Sequence, residues 1–324
     1  MEIMTSIFCV TYNHENYIAD AIESFLMQKT DFSYEILIYD DASTDRTPEI
    51  IKQYESKYPD LIKPIYQTEN QYSKGVKTIG FNTERVKGKY IAFCEGDDYW
   101  TDPYKLQKQV DYMEKNPECS MCVHAVYRVT SDKKKLKSHV RPNRGNKVFT
   151  VEEVIEWGEG RVFATNSILY PTVFCTNRPD FYEKAPVGDY PLAIYLALQG
   201  IVYYIDEFMS AHRVNLKGSW TSRFYSSIEW RVAHWDKIVD MLNEINRYSE
   251  YKYDITIKKQ IQNIKFNLML DQWRFKEVKE EEFKEIYSAL DIKTKIEIFI
   301  KQYCPSIAKV LINIKRKLNR ADEQ

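Results

Sequence analysis

The sequence contains no long apolar stretch. No segment approaches the ~20 uncharged residues that a membrane-spanning helix needs, and the opening MEIMTSIFCV lacks the basic region of a signal peptide. We therefore expect a soluble, cytoplasmic protein. Peripheral contact with the inner face of a membrane is compatible with these absences.

Glycine is also scarce, with 10 residues among 324. The turn after the first apolar run reads VTYNHEN, and neither GxGxxG nor GxxxxGK[ST] occurs in the chain. A glycine-rich loop that holds phosphates through its backbone amides is therefore excluded. If a nucleotide binds, its phosphates need another counter-charge, such as a divalent cation.

Cysteine is sparse, and its six residues are scattered. Cys119 and Cys122 form the only close pair, and no second pair or histidine cluster accompanies them to complete a zinc site. Their segment, ECSMCVHAVY, is typical of a buried strand. We therefore predict free core thiols in a protein from a reducing compartment.

Neither sign of charge dominates, because the formal net charge is −1. A chain without an overall positive field does not recruit nucleic acid, so no nucleic-acid partner is expected. The basic segment 131–147, SDKKKLKSHVRPNRGNK, has no aromatic residues between its charges. It is predicted to be a solvated loop rather than a nucleic-acid patch.

Short apolar runs alternate with helix-periodic segments in the first hundred residues. SIFCVTYN, YEILIYDDAS, IKPIYQ and KYIAFCEGDD are predicted strands, and NYIADAIESFLMQ and TPEIIKQYESKYP are predicted helices. This alternation predicts an α/β fold with a mostly parallel sheet flanked by helices. From residue 222 onward the pattern is helical without strands, so we expect an α/β domain at 1–221 and a helical region at 222–324.

Polar clusters follow three of the predicted strands. They are Thr11 to Asn13, Asp40 with Asp41, and Glu95 to Asp98 in CEGDDYW. Like charges this close repel each other, so the last cluster is either a solvated turn or the site of a cation or a hydroxyl-rich ligand. Because ligands bind beyond the carboxyl ends of parallel strands, the convergence of three clusters favours a ligand site.

The chemistry that fits this crevice is the binding of a nucleoside diphosphate together with a metal ion. Mg²⁺ or Mn²⁺ prefers few protein carboxylates plus phosphate oxygens, and Asp98 is the candidate metal ligand. Glu95 and Asp97 are then expected to accept hydrogen bonds from ribose hydroxyls. Tyr12 can stack on the base, and Asp41 can accept the imide N–H of a uracil.

Three segments in this order resemble the family 2 inverting glycosyltransferases, which have a GT-A (Rossmann-like) fold: VTYNHENYIADAIESFLMQ, YEILIYDDASTDRT and GKYIAFCEGDDYWTDPYKLQKQVDYM. The resemblance covers nearly all of 1–221. It implies a nucleotide-binding half at 1–100 and an acceptor half at 101–221, with the helical region as a C-terminal extension.

The resemblance also implies roles for individual positions. The tyrosine of the family's first motif and the second aspartate of its DD pair contact the nucleobase, and these positions are Tyr12 and Asp41 here, with Val10 as a further nucleotide contact. The family's acidic turn binds ribose and metal, and Asp98 matches the metal position. Glu95 departs from the commoner aspartate, which leaves its own contact open.

The family also implies a general base on the acceptor side, usually an acidic residue that opens a helix. GDYPLAIYLA matches a variant of that segment, so Asp189 is the predicted base, and the helix macrodipole favours its anionic form. A simple helix N-cap is the alternative interpretation. In AHRVNLKGSW, Arg213 matches the region that closes over the diphosphate, whereas Asn215 stands where many relatives carry histidine.

Three further residues are candidates for contact with the diphosphate or the acceptor. His212 can make the contact for which many relatives use a histidine at the position of Asn215, or it is a strand residue that is satisfied by packing. Trp220 either covers the sugar or anchors the domain. Asn166, in FATNSILY, is a candidate at the acceptor site.

The resemblance implies a metal-dependent transferase that moves a sugar from a UDP-sugar to a hydroxyl of a glycan, with a lipid-linked acceptor in bacterial surface-polysaccharide synthesis. Two alternatives stay open: a sugar-1-phosphate nucleotidyltransferase, whose usual glycine-rich first turn is missing here, and an inactive scaffold. The last segment, PSIAKVLINIKRKLNR, predicts a basic amphipathic helix that packs on the protein or contacts an anionic membrane. The helical region can alternatively form a homodimer.

Overall fold

The structure, a computed structural model, describes residues 2–78, 80–157, 163–216 and 227–307. The chain divides into two units, Met1–Ser222 and Arg223–Gln324, and each is described by itself. Trp220 lies outside the described residues, as does most of the predicted basic helix near the C-terminus.

The first unit is built around one ten-stranded sheet. In chain order its strands are β1 Ile3–Thr11, β2 Ser33–Asp40, β3 Ile62–Tyr66, β4 Tyr90–Phe93, β5 Tyr99–Trp100, β6 Cys119–Val129, β7 Lys135–Val140, β8 Lys147–Phe149, β9 Leu169–Pro171 and β10 Ile201–Arg213. Along the sheet they follow the order β3-β2-β1-β4-β9-β6-β10-β5, with β7 beside β6 and β8 beside β10.

Helices cover the sheet and supply its core contacts. They are α1 Ile18–Leu26, α2 Thr47–Lys57, α3 Gly80–Thr83, α4 Lys105–Lys115, α5 Val151–Trp157, α6 Asp180–Glu183 and α7 Asp189–Gln199. The apolar face of α1, with Ile22 and Phe25, packs in one buried cluster with Ile7 and Ile38 of the central strands. All six cysteines are free thiols, and all but Cys304 are buried, as predicted.

The predicted α/β sheet flanked by helices is confirmed, and its two halves differ in strand direction. Strands β3, β2, β1 and β4 pair in parallel, because helix-containing crossovers connect them. Beyond β4 the sheet is mixed: β9 is antiparallel to β4 and β6, whereas β10 is parallel to β6. The register of β10 against β6 shifts between Ile205 and Phe208 and again between Phe208 and Ser210.

The prediction of a solvated loop at 131–147 is wrong. This segment contains β7, which pairs with β6, and the start of β8, which pairs with β10. In β7 only Val140 is buried, and its lysines face solvent. Charged side chains on an edge strand protect that edge from pairing with other chains, and this polar pattern conceals the strand in the sequence.

The second unit contains helices and no strand among its described residues. Its helices are α8 Ile228–Tyr248, α9 Asp254–Asp271, α10 Lys284–Ala289 and α11 Ile292–Tyr303. The predicted apolar stripes supply buried residues, including Ile238 and Leu242 on α8 and Ile257 and Ile264 on α9. No helix among the described residues of the chain has the length and apolarity to cross a bilayer.

Gly88 marks a close backbone approach to the central strand of the sheet. It precedes β4, and a Cβ atom at this position would lie 2.5 Å from the backbone nitrogen of Ser6 and 2.7 Å from the carbonyl carbon of Thr5. Both obstacles are backbone atoms of the central strand β1, which cannot move without disturbing the sheet. Only glycine allows this approach.

We predict that Gly88→Ala lowers the free energy of unfolding by about 1–3 kcal/mol, because overpacking forces backbone shifts. The matched control is Gly80→Ala, where a Cβ meets nothing within 4 Å. Urea unfolding of both variants measures the difference. Equal stability of the two variants would contradict the prediction and would show that the backbone of β1 shifts at Ser6 to accept the added methyl group.

Candidate active site

Three segments meet at the carboxyl ends of β1, β2 and β4, as the sequence predicts. The N–H of Gly96 donates to the carbonyl oxygen of Val10 at 2.9 Å, and the N–H of Asp41 donates to that of Thr11 at 3.0 Å. These backbone bonds hold the turn after β4 and the segment after β2 on either side of the end of β1. Val10 thus lies at the centre of the crevice.

The loop after β1 is fixed to the loop after β2 by side-chain hydrogen bonds. The Asn13 N–H donates to Ser43 Oγ at 2.8 Å, and the Thr44 N–H donates to Asn13 Oδ1 at 2.8 Å. Asn13 adopts a left-handed conformation, with φ of 55°, which asparagine tolerates better than most residues. Tyr12 is 42% exposed at this rigid corner, so its ring is accessible for stacking on a base.

Asp41 does not present a free carboxylate. It is 2% exposed, and its two oxygens accept hydrogen bonds from the backbone N–H groups of Gln71 at 2.8 Å and Tyr72 at 3.0 Å. The hydroxyl of Tyr39 adds a third bond at 3.2 Å. The geometry therefore does not support direct pairing of Asp41 with a uracil; Asp41 orders the loop after β3, and a base can reach it only if that loop moves.

The turn Glu95–Asp98 concentrates negative charge. The pKa of Glu95 rises to about 8, because burial disfavours its charged form and because Asp98 and Asp97 lie nearby. Burial and Asp98 likewise raise the pKa of Asp97. Glu95 Oε2 is buried without a hydrogen-bond partner among the described residues. A cation or hydroxyl donors of a ligand would relieve both the repulsion and the missing bond.

Asp98 is the residue of this turn that is held by the most hydrogen bonds among the described residues, and it is only 3% exposed. Its Oδ2 accepts hydrogen bonds from Asn166 Nδ2 at 2.9 Å and is 2.9 Å from His212 Nδ1, and its Oδ1 accepts one from the N–H of Arg213 at 2.8 Å. These three contacts occupy most of the carboxylate's acceptor capacity. These contacts favour an anchoring role for Asp98 in the turn, and its predicted role as the metal ligand stays a prediction.

Asn166 supports Asp98 and does not reach the acceptor side. It is fully buried, its amide nitrogen also donates to the carbonyl oxygen of Ala211 at 3.1 Å, and its amide oxygen accepts from Ser210 Oγ at 2.8 Å. The prediction of an acceptor contact by Asn166 is contradicted by this burial. Sequence alone did not reveal the role, because the partners lie 44 to 68 residues away.

His212 forms an ion pair with Asp98. Asp98 raises the pKa of His212 from 6.5 to about 9, although burial acts in the opposite direction. The pair therefore contributes its stability fully below pH 6.5, and this contribution is lost as the pH rises through about 9. The His212 side chain remains 43% exposed, so its second ring nitrogen can face a ligand, and its predicted diphosphate contact stays a prediction.

The side chain of Arg213 is engaged in contacts within the protein. It is fully buried, pairs with Asp20, and donates from Nη1 to the carbonyl oxygen of Asp97 at 2.6 Å. The guanidinium lies between the rings of Tyr17 and Tyr99, 4.9 Å and 4.8 Å from their centroids. The geometry does not support the predicted contact with a diphosphate; Arg213 ties the acidic turn to α1.

His14 is a site residue that the sequence reasoning missed. Its Nε2 lies 3.8 Å from Asp97 Oδ2, and its buried Nδ1 has no hydrogen-bond partner among the described residues. The available indication was its place in VTYNHEN, directly beyond the first strand. His14 and His212 thus flank Asp97, which is 25% exposed at its side chain and more accessible than Asp98.

A divalent cation fits the acidic turn through few protein ligands. No group of three or more His, Cys, Asp or Glu residues within the described ranges is arranged as a complete metal site. Mg²⁺ and Mn²⁺ do not need one when phosphate oxygens complete the coordination. The unpartnered Glu95 Oε2 and the accessible carboxylate of Asp97 are the donors that match this chemistry.

Asp189 opens α7, as predicted, and lies on a separate segment from the acidic turn. It is partly buried, and its Oδ1 accepts a hydrogen bond from the N–H of Tyr190 at 2.8 Å. The hydroxyl of Tyr190 donates to the carbonyl oxygen of Ile155 at 2.6 Å, which fixes the start of the helix on α5. The role of Asp189 as a base stays a prediction.

Lys105 is a fully buried cation beneath the turn. Its Nζ donates to Gln109 Oε1 at 2.7 Å and lies 4.1 Å from the centroid of the Trp100 ring. Trp100 Nε1 donates in turn to the carbonyl oxygen of Asn166 at 3.1 Å. Burial lowers the pKa of Lys105 from 10.5 to about 7.

Comparison with known proteins identifies the family. Residues 6–172 match the model of glycosyl transferase family 2, which is just over half of the chain. The chain therefore belongs to this family, whose name describes the class of enzyme that the sequence predicts, a glycosyltransferase. The alternative of a sugar-1-phosphate nucleotidyltransferase is overturned by the same match.

Two relatives illustrate the similarity. An uncharacterized protein of Mycobacterium tuberculosis is 36% identical over 224 residues, which are 68% of this chain and 61% of that protein. The minor teichoic acid biosynthesis protein GgaA of Bacillus subtilis is 28% identical over 187 residues, 56% of this chain and 42% of GgaA. The chain thus spans less than two thirds of the length of either relative.

A solved structure of similar fold is TarS 1–349 of S. aureus in complex with UDP-GlcNAc. The TM-score is 0.62 at 18% sequence identity, and the match covers 93% of this chain and 79% of that chain. At this identity the likeness concerns the fold alone. The predicted GT-A fold with a helical C-terminal region is thereby confirmed.

We predict that Asp98→Asn lowers the free energy of unfolding by about 1–3 kcal/mol, because either orientation of the amide turns its NH₂ group toward a buried donor. Asp97→Asn is the matched control and should leave stability unchanged or raise it, since the raised pKa of Asp97 reports an unfavourable charge. Urea unfolding without divalent cations measures both variants. An Asp98→Asn protein as stable as wild type would disprove the anchoring role.

A second prediction concerns Lys105. Because its pKa is lower in the folded state, the contribution of Lys105 to the unfolding free energy should fall as the pH drops from 10.5 toward about 7, opposite to the contribution of His212 in this range. Lys105→Met should remove this contribution, so the difference in unfolding free energy between the two proteins should change with pH, and it should raise stability at pH 7, at about 1.4 kcal/mol per unit of pKa shift. Unfolding curves between pH 7 and pH 10 measure the effect, and parallel curves for the two proteins would contradict it.

Proposed function

We propose that this chain transfers a sugar from a UDP-sugar to a hydroxyl group of a glycan acceptor, with inversion at the anomeric carbon. The observation that carries the proposal is the acidic turn after β4, with its raised carboxylate pKa values and unpartnered Glu95 oxygen, beside the exposed ring of Tyr12. Family membership supports sugar transfer. The UDP-GlcNAc bound to TarS supports a UDP-sugar as the donor.

Asp97 takes the place of Asp98 as the proposed ligand of Mg²⁺ or Mn²⁺, with Glu95 beside it. When bound, the cation would act as a Lewis acid that stabilises the charge of the departing diphosphate. Asp98, held by Asn166 and Arg213, keeps the turn in position. Tyr12 stacks on the base in this proposal.

Asp189 is the proposed general base. At the first position of α7 the macrodipole favours its carboxylate form, which can take the proton of the acceptor hydroxyl. The acceptor oxygen forms its bond to the anomeric carbon while the bond to the UDP oxygen breaks and UDP leaves with the electron pair. A single displacement of this kind inverts the anomeric configuration without a covalent intermediate.

The cellular setting is part of the proposal. The name of GgaA, a minor teichoic acid biosynthesis protein, supports a role in a surface polysaccharide, for which the acceptor would be a glycan on a lipid. Six free cysteines support a reducing compartment such as the cytoplasm. A homodimer through the helical unit stays a prediction.

The proposal is tested by incubating the full chain with Mn²⁺ and a panel of UDP-sugars and measuring UDP release with and without glycan acceptors. Release of UDP from one donor, and a product of inverted anomeric configuration by NMR, are the expected results. A chain that binds no nucleotide in this panel would instead match the alternative of an inactive scaffold.

We predict that Asp189→Asn lowers kcat by about 10²–10⁴-fold, the usual contribution of a general base, and leaves the affinity for UDP and Mn²⁺ unchanged. Asp180→Asn is the matched control, because Asp180 likewise opens a helix, α6, but its side chain is 81% exposed and pairs with Lys184. Initial rates and calorimetric titration with UDP measure the two quantities. A kcat within twofold of wild type in Asp189→Asn would show that Asp189 is not the general base.

A further inference from the structure

Helix α11 of the second unit carries an apolar stripe that faces solvent. Ile292, Ile296, Phe299 and Tyr303 are between 52% and 77% exposed, whereas Ile298 on another side of the helix is 3% exposed. The rings of Phe299 and Tyr303 are neighbours, with centroids 4.8 Å apart. One face of the helix therefore packs into the unit, and a second apolar face remains outside.

The stripe is narrow and continuous. At about 100° per residue, the spacing of 4, 3 and 4 residues between its members places all four side chains within an arc of about 60°. Ile307, just beyond the helix, is 56% exposed as well. Single exposed apolar residues are ordinary, but contiguous exposed apolar surface marks a binding site.

Positive charge borders this stripe on both sides. Lys293 and Lys295 lie on opposite flanks of the arc, and α11 has three lysines against one acidic residue, Glu297. The excess continues in the sequence, because residues 292–320 contain eight Lys or Arg and no acidic residue besides Glu297. A two-fold pairing of α11 with itself would bring two cationic surfaces together, which disfavours a second copy as the partner.

We propose that α11 is an interfacial helix that lies flat on an anionic lipid surface. Its isoleucine and aromatic side chains would enter the boundary between headgroups and acyl chains, and Lys293 would face anionic headgroups, whereas Lys295 donates to the carbonyl oxygen of Ser288 at 2.7 Å. The proposal goes beyond sugar transfer and does not depend on it. It supplies the means by which the chain would meet an acceptor held at a membrane.

The test uses the full chain and sedimentation with vesicles of phosphatidylcholine alone or mixed equally with phosphatidylglycerol. We expect binding to the anionic vesicles only, weakened by added salt because lysine contacts are screened. The double variant Ile296→Ser, Phe299→Ser should lose at least about tenfold in vesicle affinity, since each buried side chain contributes on this scale.

The matched control is Ile255→Ser on α9, because Ile255 is 84% exposed but lies outside the stripe; it should bind vesicles like wild type. Circular dichroism and UDP titration confirm that each variant is folded, so loss of docking and loss of nucleotide binding are distinguishable. No binding to anionic vesicles overturns the proposal. An equal loss of vesicle binding in the control variant overturns it as well. So does light scattering that shows dimers for the wild type and the control but monomers for the double variant.

Discussion

One buried carboxylate, that of Asp98, holds the site together. It belongs to the turn after β4, and its partners Asn166, His212 and Arg213 come from the second half of the same unit, 68 to 115 residues later. Removing a carboxylate from water is costly unless its lone pairs are satisfied, and three donors satisfy them here. The turn can keep its shape only when both halves of the sheet are folded.

This anchoring makes the electrostatic strain of the turn tolerable. Glu95 and Asp97 precede Asp98 in the same turn, and burial together with the repulsion from nearby carboxylates raises the pKa values of both. A flexible loop would separate these charges, but the bonds to Asp98 and the contact of Arg213 with the carbonyl of Asp97 prevent it. The protein thus maintains an unfavourable arrangement of charge, which is the physical mark of a site prepared for a cationic or donor-rich ligand.

The convergence of the strand ends was predictable from the sequence, because buried parallel strands have a recognisable pattern and their carboxyl ends share one edge. The roles of Asp41 and Asp98 were not, because a carboxylate that binds a ligand and one that anchors a loop have the same local sequence. Their distant partners favour the anchoring role: the backbone of Gln71 and Tyr72 for Asp41, and Asn166 for Asp98. The edge strand β7 was missed because its exposed lysines lack the apolar alternation of an interior strand.

The irregular register of β10 has a consequence for how the fold can vary. Two shifts between Ile205 and Ser210 reset the alternation of side chains immediately before Ser210, Ala211, His212 and Arg213 meet Asn166 and Asp98. An inserted or deleted residue between these shifts and Arg213 would turn the wrong side chains toward the carboxylate. The number of residues between these shifts and the end of β10 is therefore fixed by the contacts of Asp98, and the acidic turn could not be transferred to another protein without this strand.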